Sequence, residues 1–292
     1  MRESLVTLVV SGIVLTSLGC HAQQAALDIA PEQLIREVVY NEMHDHQGHG
    51  YWRYWIDRHS TAGETVEEQV ETPAGPVTMV EEGNGQPLSP LAIEQERQKM
   101  HQLLSSPQEQ ASHLRQYRQD EGRIGRIVVL LPDAFLFNYD GMENGCYRLR
   151  FHPNPEYSAR TVEARVLHAM TGTIWVDANY KRLARLDGVI DHNVDFGYGL
   201  LGRLYKGGWF QLARVRVSAT DWKTEHLEVH MNIRALLVTN IARETSERRG
   251  GFTPVPLGLS LEEGVRLIER TEPLVPAGNA SMASVAFGFA KR

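Results

Sequence analysis

Three histidines stand close together in the stretch HDHQGHGYWRYW, residues 44–55. Neutral imidazole is a common Zn²⁺ ligand, so His44, His46 and His49 are candidates for one metal site. Their spacing matches neither HExxH nor another metal-binding pattern, and glycines flank the third histidine as they do in loops. The four aromatic residues that follow favour a β-strand. We therefore interpret the stretch as a junction between a helix and a strand, and predict no metal site there.

His226, Glu228 and His230 form a second group of candidate ligands. On a β-strand, residues two and four positions apart share a face, so the three could bind a metal or pair a base with an orienting carboxylate. The residues between them are apolar, and strict alternation is also what a sheet with one packed and one solvated face requires. We favour the solvated face, and keep a metal-dependent hydrolase as an alternative function.

Other reactive side chains lack the spacing of a catalytic centre. A glycosidase needs two carboxyl groups at a set separation, and four aspartates are candidates for such a pair: Asp177, Asp187, Asp191 and Asp195. Aspartate is also the usual residue of hairpin turns. The chain contains no G-x-S-x-G or S-x-x-K motif, and the glycine-rich stretch 197–208 is not a P-loop. With Cys146 alone after the N-terminal region, we predict no catalytic residue and no cofactor.

The N-terminus has the pattern of an export signal. Arg2 precedes an apolar run, residues 5–18, which is too short to span a membrane comfortably. Cleavage after Ala22 would remove a signal peptide of residues 1–22, whereas Gly19-Cys20 resembles the end of a lipobox, in which Cys20 is acylated. In either case we predict a periplasmic or secreted protein, with a lipid anchor at Cys20 as the alternative to plain secretion.

Composition excludes some partners. The apolar fraction of 42% and charged fraction of 23% are those of a soluble globular protein. The net charge of −6 provides no basic field, and no stripe of basic and aromatic residues suggests a groove in which bases could stack. We therefore predict no nucleic-acid partner.

The element pattern predicts an α+β protein. Residues 31–43 have helical spacing, and residues 89–131 form a polar helical insert that Ser106-Pro107 interrupts. From Tyr147 the chain reads as an antiparallel meander, with the clearest strand at residues 225–234. We predict a single domain, residues 23–271, built as a curved antiparallel β-sheet (an incomplete barrel) covered by helices. Residues 272–292 are expected to form a flexible tail.

Several segments resemble known proteins. LPDAFLFNYDG, FHPNPEY, VDFGYGLLGRLYKGGWF and VHMNIRALL resemble an uncharacterised group of secreted bacterial proteins, over most of the mature chain. GTIWVDANYKRLARL resembles the strand signature of the outer-membrane lipoprotein carrier superfamily, which includes periplasmic lipoprotein sensors; this similarity covers residues 140–250. It implies an incomplete barrel that helices close on its concave side around an acyl chain, with association to the outer membrane. The insert at 89–131 departs from the carrier pattern.

The sequence also indicates an apolar face that such a fold must cover. One face of the sheet is expected to carry Ile174, Val176, Leu227, Val229, Met231 and Ile233. A sheet that curls without closing must cover that face with helices or with a ligand. Our hypothesis is an exported, non-enzymatic protein that binds a lipid or lipoprotein acyl chain, lined by Trp175, Leu204, Val229 and Met231. A third possibility is an interaction module that docks a partner on the helices of 89–131.

Overall fold

The computed structural model describes residues 29–44, 50–196, 202–235 and 239–274. The predicted signal peptide with Cys20, the histidines at 46 and 49, and the predicted tail beyond residue 274 lie outside these ranges. The described residues from Pro31 onward belong to one compact unit.

Five helices and thirteen strands form within the described ranges. The helices are α1 Pro31–His44, α2 Pro90–Ser105, α3 Pro107–Ala134, α4 Val162–Leu167 and α5 Leu261–Arg270. The first strands are β1 Tyr51–Ser60, β2 Gly63–Val70, β3 Val77–Gly83, β4 Gln86–Pro87, β5 Phe135–Glu143, β6 Cys146–Pro153 and β7 Met170–Asp177. They are followed by β8 Leu183–Ile190, β9 Val194–Phe196, β10 Gly202–Leu204, β11 Trp209–Arg216, β12 Trp222–Ala235 and β13 Thr239–Val255.

All thirteen described strands belong to one antiparallel sheet. Its order is β4-β3-β2-β1-β13-β12-β11-β8-β7-β6-β5, and β10 pairs with the end of β12 and with β9. The edge strands β4 and β5 do not pair with each other, so the sheet is open and not a closed barrel. The prediction of an α+β fold with an incomplete antiparallel barrel is therefore confirmed.

The sheet is strongly curved at β1. Asp221, in the β11–β12 turn, accepts a hydrogen bond from the Gly50 backbone N–H at 3.1 Å through Oδ1. Val217, at the start of that turn, packs on the buried cluster of Trp52, Tyr54 and Ile56, although β13 lies between β12 and β1 in the sheet order. We call the side of the sheet that carries Trp52, Tyr54 and Ile56 the concave face, and the opposite side the outer face.

Helix α1 covers the concave face of the β5–β8 half. Its buried side chains are Leu34, Ile35 and Val38, and the helix contacts β5 and α3. Near the end of α1, Glu42 accepts hydrogen bonds from Arg182, which directly precedes β8, and from Arg214, which lies in β11. This helix, predicted at residues 31–43, therefore acts as a cover of the sheet.

The helical insert divides at Ser106-Pro107, as the sequence predicts. Ser106 caps α3 because its Oγ accepts the Glu109 N–H at 3.2 Å, and proline is favoured in the first helical turn, where its missing N–H costs nothing. Helix α3 starts beside the β2–β3 turn, where His113 closely approaches Gly75, and ends at β5. At 28 residues it is about 42 Å long. It therefore bridges the two ends of the open sheet.

The other half of the insert lies on the outer face. Helix α2 contributes Met100 to a buried cluster with residues of β2, β3 and α5: Val70, Val77, Met79, Leu261, Val265 and Ile268. Strand pairing places Val70 on the opposite face from Tyr54, because Val70 pairs with Arg53. Helix α2 therefore covers the outer face and not the concave one. Its apolar stripe indicates that a face is buried, but not against which side of the sheet.

A buried ion pair lies beneath these helices. Glu68 is fully buried, and its carboxylate accepts both Arg53 Nε at 2.5 Å and the Leu274 N–H at 2.9 Å. Arg53 also donates to the Glu272 carbonyl oxygen at 2.7 Å. The first residues of the predicted tail are therefore bonded to β1 and β2.

Glu81 gives this region a pH dependence that can be measured. Burial and the carboxylate of Glu68 raise the pKa of Glu81 to about 7, against the opposing charges of Arg53 and Arg97. Between the ordinary carboxyl value of 4.5 and about 7, the folded state therefore holds a proton that the unfolded state has lost, and stability falls as pH rises. We expect Glu81→Gln to raise the free energy of unfolding at pH 8 by about 1 kcal/mol, since solvent screens this half-buried group.

Urea unfolding at pH 5 and pH 8 measures this effect. The advantage of Glu81→Gln over the wild type should shrink at pH 5, where the native carboxyl is already protonated. Glu94→Gln, at an exposed position of α2, should show no such pH dependence. Equal effects of Glu81→Gln at the two pH values would contradict the expectation.

Candidate ligand-binding surface

A row of apolar side chains crosses the concave face. Five residues on neighbouring strands pair directly with one another, in the order Leu149, Ile174, Leu186, Leu212 and Leu227. Side chains that pair in this way lie about 5 Å apart on the same face of a sheet. The row is therefore continuous from β6 to β12.

The burial of the side chains changes along this row. Leu149 and Ile174 are fully buried, whereas Leu186, Leu212 and Leu227 are only half-buried. The apolar side chains that neighbour them on the concave face of β11 and β12 are also half-buried. We call these half-buried residues the central apolar strip: Leu186, Phe210, Leu212, Leu227, Val229, Met231 and Ile233. The helices that cover the β5–β8 half thus leave apolar surface on β8, β11 and β12.

Two paired glycines allow aromatic rings to lie against the sheet. Gly172 and Gly188 pair directly on the concave face. A Cβ on Gly172 would lie 2.7 Å from the Phe151 ring, and one on Gly188 would lie 2.3 Å from the Phe210 ring. The rings therefore occupy the space that side chains at these positions would take, and Phe210 forms part of the floor of the strip.

The structure brings together three of the four predicted lining residues. Val229 and Met231 belong to the central apolar strip, and Leu204 is buried beside it because it pairs with Ile233. Trp175 lies on the outer face, since successive residues of a strand alternate between faces and Ile174 and Val176 occupy the concave one.

The environment of Trp175 is polar. Its Nε1 donates to Glu143 at 2.9 Å, and the Arg185 guanidinium stacks 4.7 Å from the ring centroid. Trp175 also borders a shallow groove of about 580 Å³ on the outer face, together with Asp140, Arg148, Arg150, Thr171 and Thr173. The Asp140 carboxylate forms ion pairs with Arg148 and Arg150, so this groove presents charged groups rather than apolar surface.

Beyond β12 the row that contains Leu227 becomes charged. Leu227 pairs with Glu247 on β13, and Glu247 pairs with Arg58 on β1. Arg58 donates to Glu247 through Nε and to Glu67 through Nη1, both at 3.0 Å, and Arg249 donates to Glu247 through Nη2 at 2.7 Å. We call Arg58, Glu67, Glu247 and Arg249 the charged network. It lies immediately beside the central apolar strip.

The charged network holds the carboxylate of Glu247 ionised. Burial alone would raise the pKa of Glu247, but the guanidinium groups of Arg249 and Arg58 outweigh it and lower that pKa below 4.5. This network could not be predicted from the sequence. It depends on the pairing of Leu227 with Glu247 in the sheet, and no spacing in the sequence reveals that pairing.

The side chains of His226, Glu228 and His230 do not converge on one point. His226 Nε2 lies 3.7 Å from Glu228, whereas the His230 ring stacks on Trp209 at 4.5 Å and faces Glu244. Among the residues that the structure describes, no three or more His, Cys, Asp or Glu side chains are placed to hold a metal ion. This geometry gives no support to the alternative of a metal-dependent hydrolase.

Of the other candidates for chemistry, His44 and three of the four aspartates have structural partners, and Asp191 is exposed just after β8. His44 Nδ1 lies 2.8 Å from the Tyr40 carbonyl oxygen, and Asp177 accepts backbone N–H groups in the β7–β8 turn. Asp187 pairs with Arg185, and Asp195 pairs with Arg203. The thiol of Cys146 is half-buried, and burial raises its pKa, which disfavours the reactive thiolate.

No protein-family model matches the chain, and no curated protein is significantly similar to it. Within residues 29–44, 50–196, 202–235 and 239–274, no helix has both the length and the apolar character needed to cross a membrane. Function is therefore inferred from the chemistry of the concave face.

Proposed function

We propose that this is an exported, non-enzymatic protein that binds the acyl chain of a lipid or lipoprotein along the central apolar strip. One observation carries the proposal: the strip remains half-buried on the concave face while Leu149 and Ile174 of the same row are fully buried. Concave surfaces lined by apolar side chains are the usual sites for apolar ligands.

The size of the hydrophobic effect makes an acyl chain a suitable occupant. Burying one methylene group stabilises a complex by about 0.8 kcal/mol, so ten buried groups would contribute about 8 kcal/mol before the costs of ordering. The strip crosses three strands, β8, β11 and β12, and Phe210 supplies a flat aromatic surface at its centre. A flexible hydrocarbon can follow such a curved surface.

Helix α3 supports the proposal as a cover. It bridges the two ends of the open sheet, so a chain bound on the concave face would be shielded from solvent on that side. Export to the periplasm or beyond is part of the proposal and depends on the apolar N-terminal segment and its resemblance to a signal peptide. Association with the outer membrane depends on the resemblance to lipoprotein carriers.

Lipid analysis of the purified protein tests the proposal. We expect mass spectrometry of an organic extract to detect an acyl species in near-stoichiometric amount, and the delipidated protein to take up a fluorescent fatty acid. Trp175→Ala, on the outer face, should leave uptake unchanged and serves as the control. An extract without acyl species, together with no uptake, would contradict the proposal.

A further inference from the structure

Two rows of paired side chains on the concave face change from apolar to polar beyond β12, where they continue on β13 and β1. Leu227 faces Glu247 and then Arg58, and Val229 faces Thr245 and then Ser60. A ligand that lies along such a row would meet hydrocarbon at one end and charged groups at the other.

The charged network has more donors than its own acceptors use. A guanidinium group carries five N–H donors, and within the described part of the chain Arg58 uses Nε and Nη1, while Arg249 uses only Nη2. Three of the four carboxylate oxygens of Glu67 and Glu247 are already engaged. Arg58 Nη2 and Arg249 Nη1 therefore remain as donors beside the central apolar strip.

Arg249 also has a donor that is buried without an acceptor. Its Nε has no hydrogen-bond partner among the residues that the structure describes. A buried donor without an acceptor is unfavourable, and a small rotation of the guanidinium group toward an added oxygen would satisfy it. Arginine suits this role because its planar group binds carboxylate and phosphate oxygens with two parallel hydrogen bonds.

We infer that the charged network binds an anionic oxygen head group, a carboxylate or a phosphate, of an amphiphile whose hydrocarbon chain occupies the central apolar strip. The inference rests on the proposed function for the chain and adds the head group. Arg58 Nη2 and Arg249 Nη1 donate to the head group, while Glu67 and Glu247 hold both guanidinium groups in place. The side chain of Arg58 is 36% exposed, which leaves it accessible to a ligand.

Three ligands with the same 16-carbon chain test the head group: palmitate, hexadecyl phosphate and hexadecanol. Displacement of the neutral dye Nile red from the full-length protein gives their affinities. We expect palmitate, hexadecyl phosphate or both to bind about tenfold more tightly than hexadecanol, because a hydrogen bond to a charged group stabilises by roughly this factor. The tighter of the two anions identifies the source of the head group.

Variants assign the preference to the network. Replacing Arg58 and Arg249 by Gln should remove the preference for anions and leave hexadecanol affinity unchanged. Arg248→Gln is the matched control, because Arg248 is ion-paired with Asp57 on the outer face of the same strand. Arg249→Lys keeps the positive charge and should retain part of the preference for anionic ligands. It takes the place of the double variant in this test if the double variant does not fold.

The outcomes separate the two proposals. Equal affinities for all three ligands in the wild type would overturn the head-group inference and leave acyl-chain binding intact. The head-group inference would also be overturned if the arginine variants lost affinity for hexadecanol and for palmitate to the same degree. Failure of the wild type to bind any of the three would contradict the proposed function itself and the inference with it.

Discussion

Replacing Glu42 by Gln is expected to lower the free energy of unfolding by about 3–5 kcal/mol. The Glu42 carboxylate accepts hydrogen bonds from Arg182 at 3.0 Å and from Arg214 at 2.6 Å, and also from the Leu183 N–H. Both arginines are close to 90% buried, so a neutral side chain at residue 42 would take from both of them a carboxylate that balances their charge away from water. Urea denaturation at pH 7 measures the loss.

A surface ion pair of the same helix provides the control. Arg36 pairs with Asp133 at 2.8 Å, but both side chains are 61% exposed. Such pairs contribute little, so Arg36→Gln should cost less than about 1 kcal/mol. A similar small cost for Glu42→Gln would show that the contact of α1 with β8 and β11 does not hold the helix on the sheet.

The same carboxylate predicts an acid sensitivity. Burial alone would raise the pKa of Glu42, but the charges of Arg214 and Arg182 outweigh it and lower that pKa below 4.5. A carboxyl whose pKa is lowered by folding stabilises the fold fully above its ordinary value, and this contribution is lost as pH falls through the lowered pKa. The wild type should therefore lose stability more steeply than Glu42→Gln below about pH 4.5.

The second large effect concerns binding. Val229 lies on β12 between Phe210 and Thr245 on the concave face and is half-buried. Val229→Glu would place a carboxylate against the hydrocarbon of the proposed ligand, and its desolvation costs several kcal/mol. We expect affinity for a fluorescent fatty acid to fall about 100-fold or more. Fluorescence titration of the delipidated protein measures the change.

Val189→Glu is the matched control for this change. Val189 lies on β8 and pairs with Trp209 on the outer face, where it is 47% exposed. The same substitution there should leave fatty-acid affinity within about twofold of the wild type. Val229→Thr, which keeps the shape of valine and replaces one methyl group by a hydroxyl group, should weaken binding less than Val229→Glu. Equal losses of fatty-acid affinity in Val229→Glu and Val189→Glu would show that the ligand binds elsewhere.

Much of the sheet could be predicted because local patterns determine it. The alternation at residues 225–234 predicts one long strand, and β12 extends from Trp222 to Ala235 with Val229 and Met231 on its apolar face. The break at Ser106-Pro107 is equally local, since a capping hydroxyl group and a proline define a helix start. These features depend on neighbours a few residues away.

The remaining features depend on register and on distant contacts. Trp175, predicted to line the ligand site, is adjacent to Ile174 in sequence but lies on the opposite face of the sheet from Val229. Glu42 meets Arg182 across 140 residues, and Arg58 meets Glu247 across 189. Such pairs follow from how strands align in the sheet, and no spacing in the sequence records that alignment.

Photo-crosslinking locates the ligand most directly. Palmitate that carries a diazirine at the end of its chain, bound to the delipidated protein and irradiated, should form adducts on the central apolar strip, at residues such as Leu212, Leu227 and Met231. Fragment mass spectrometry resolves the modified residue. Adducts confined to outer-face residues such as Gln211 or His226, or the absence of any saturable adduct, would contradict binding on the concave face.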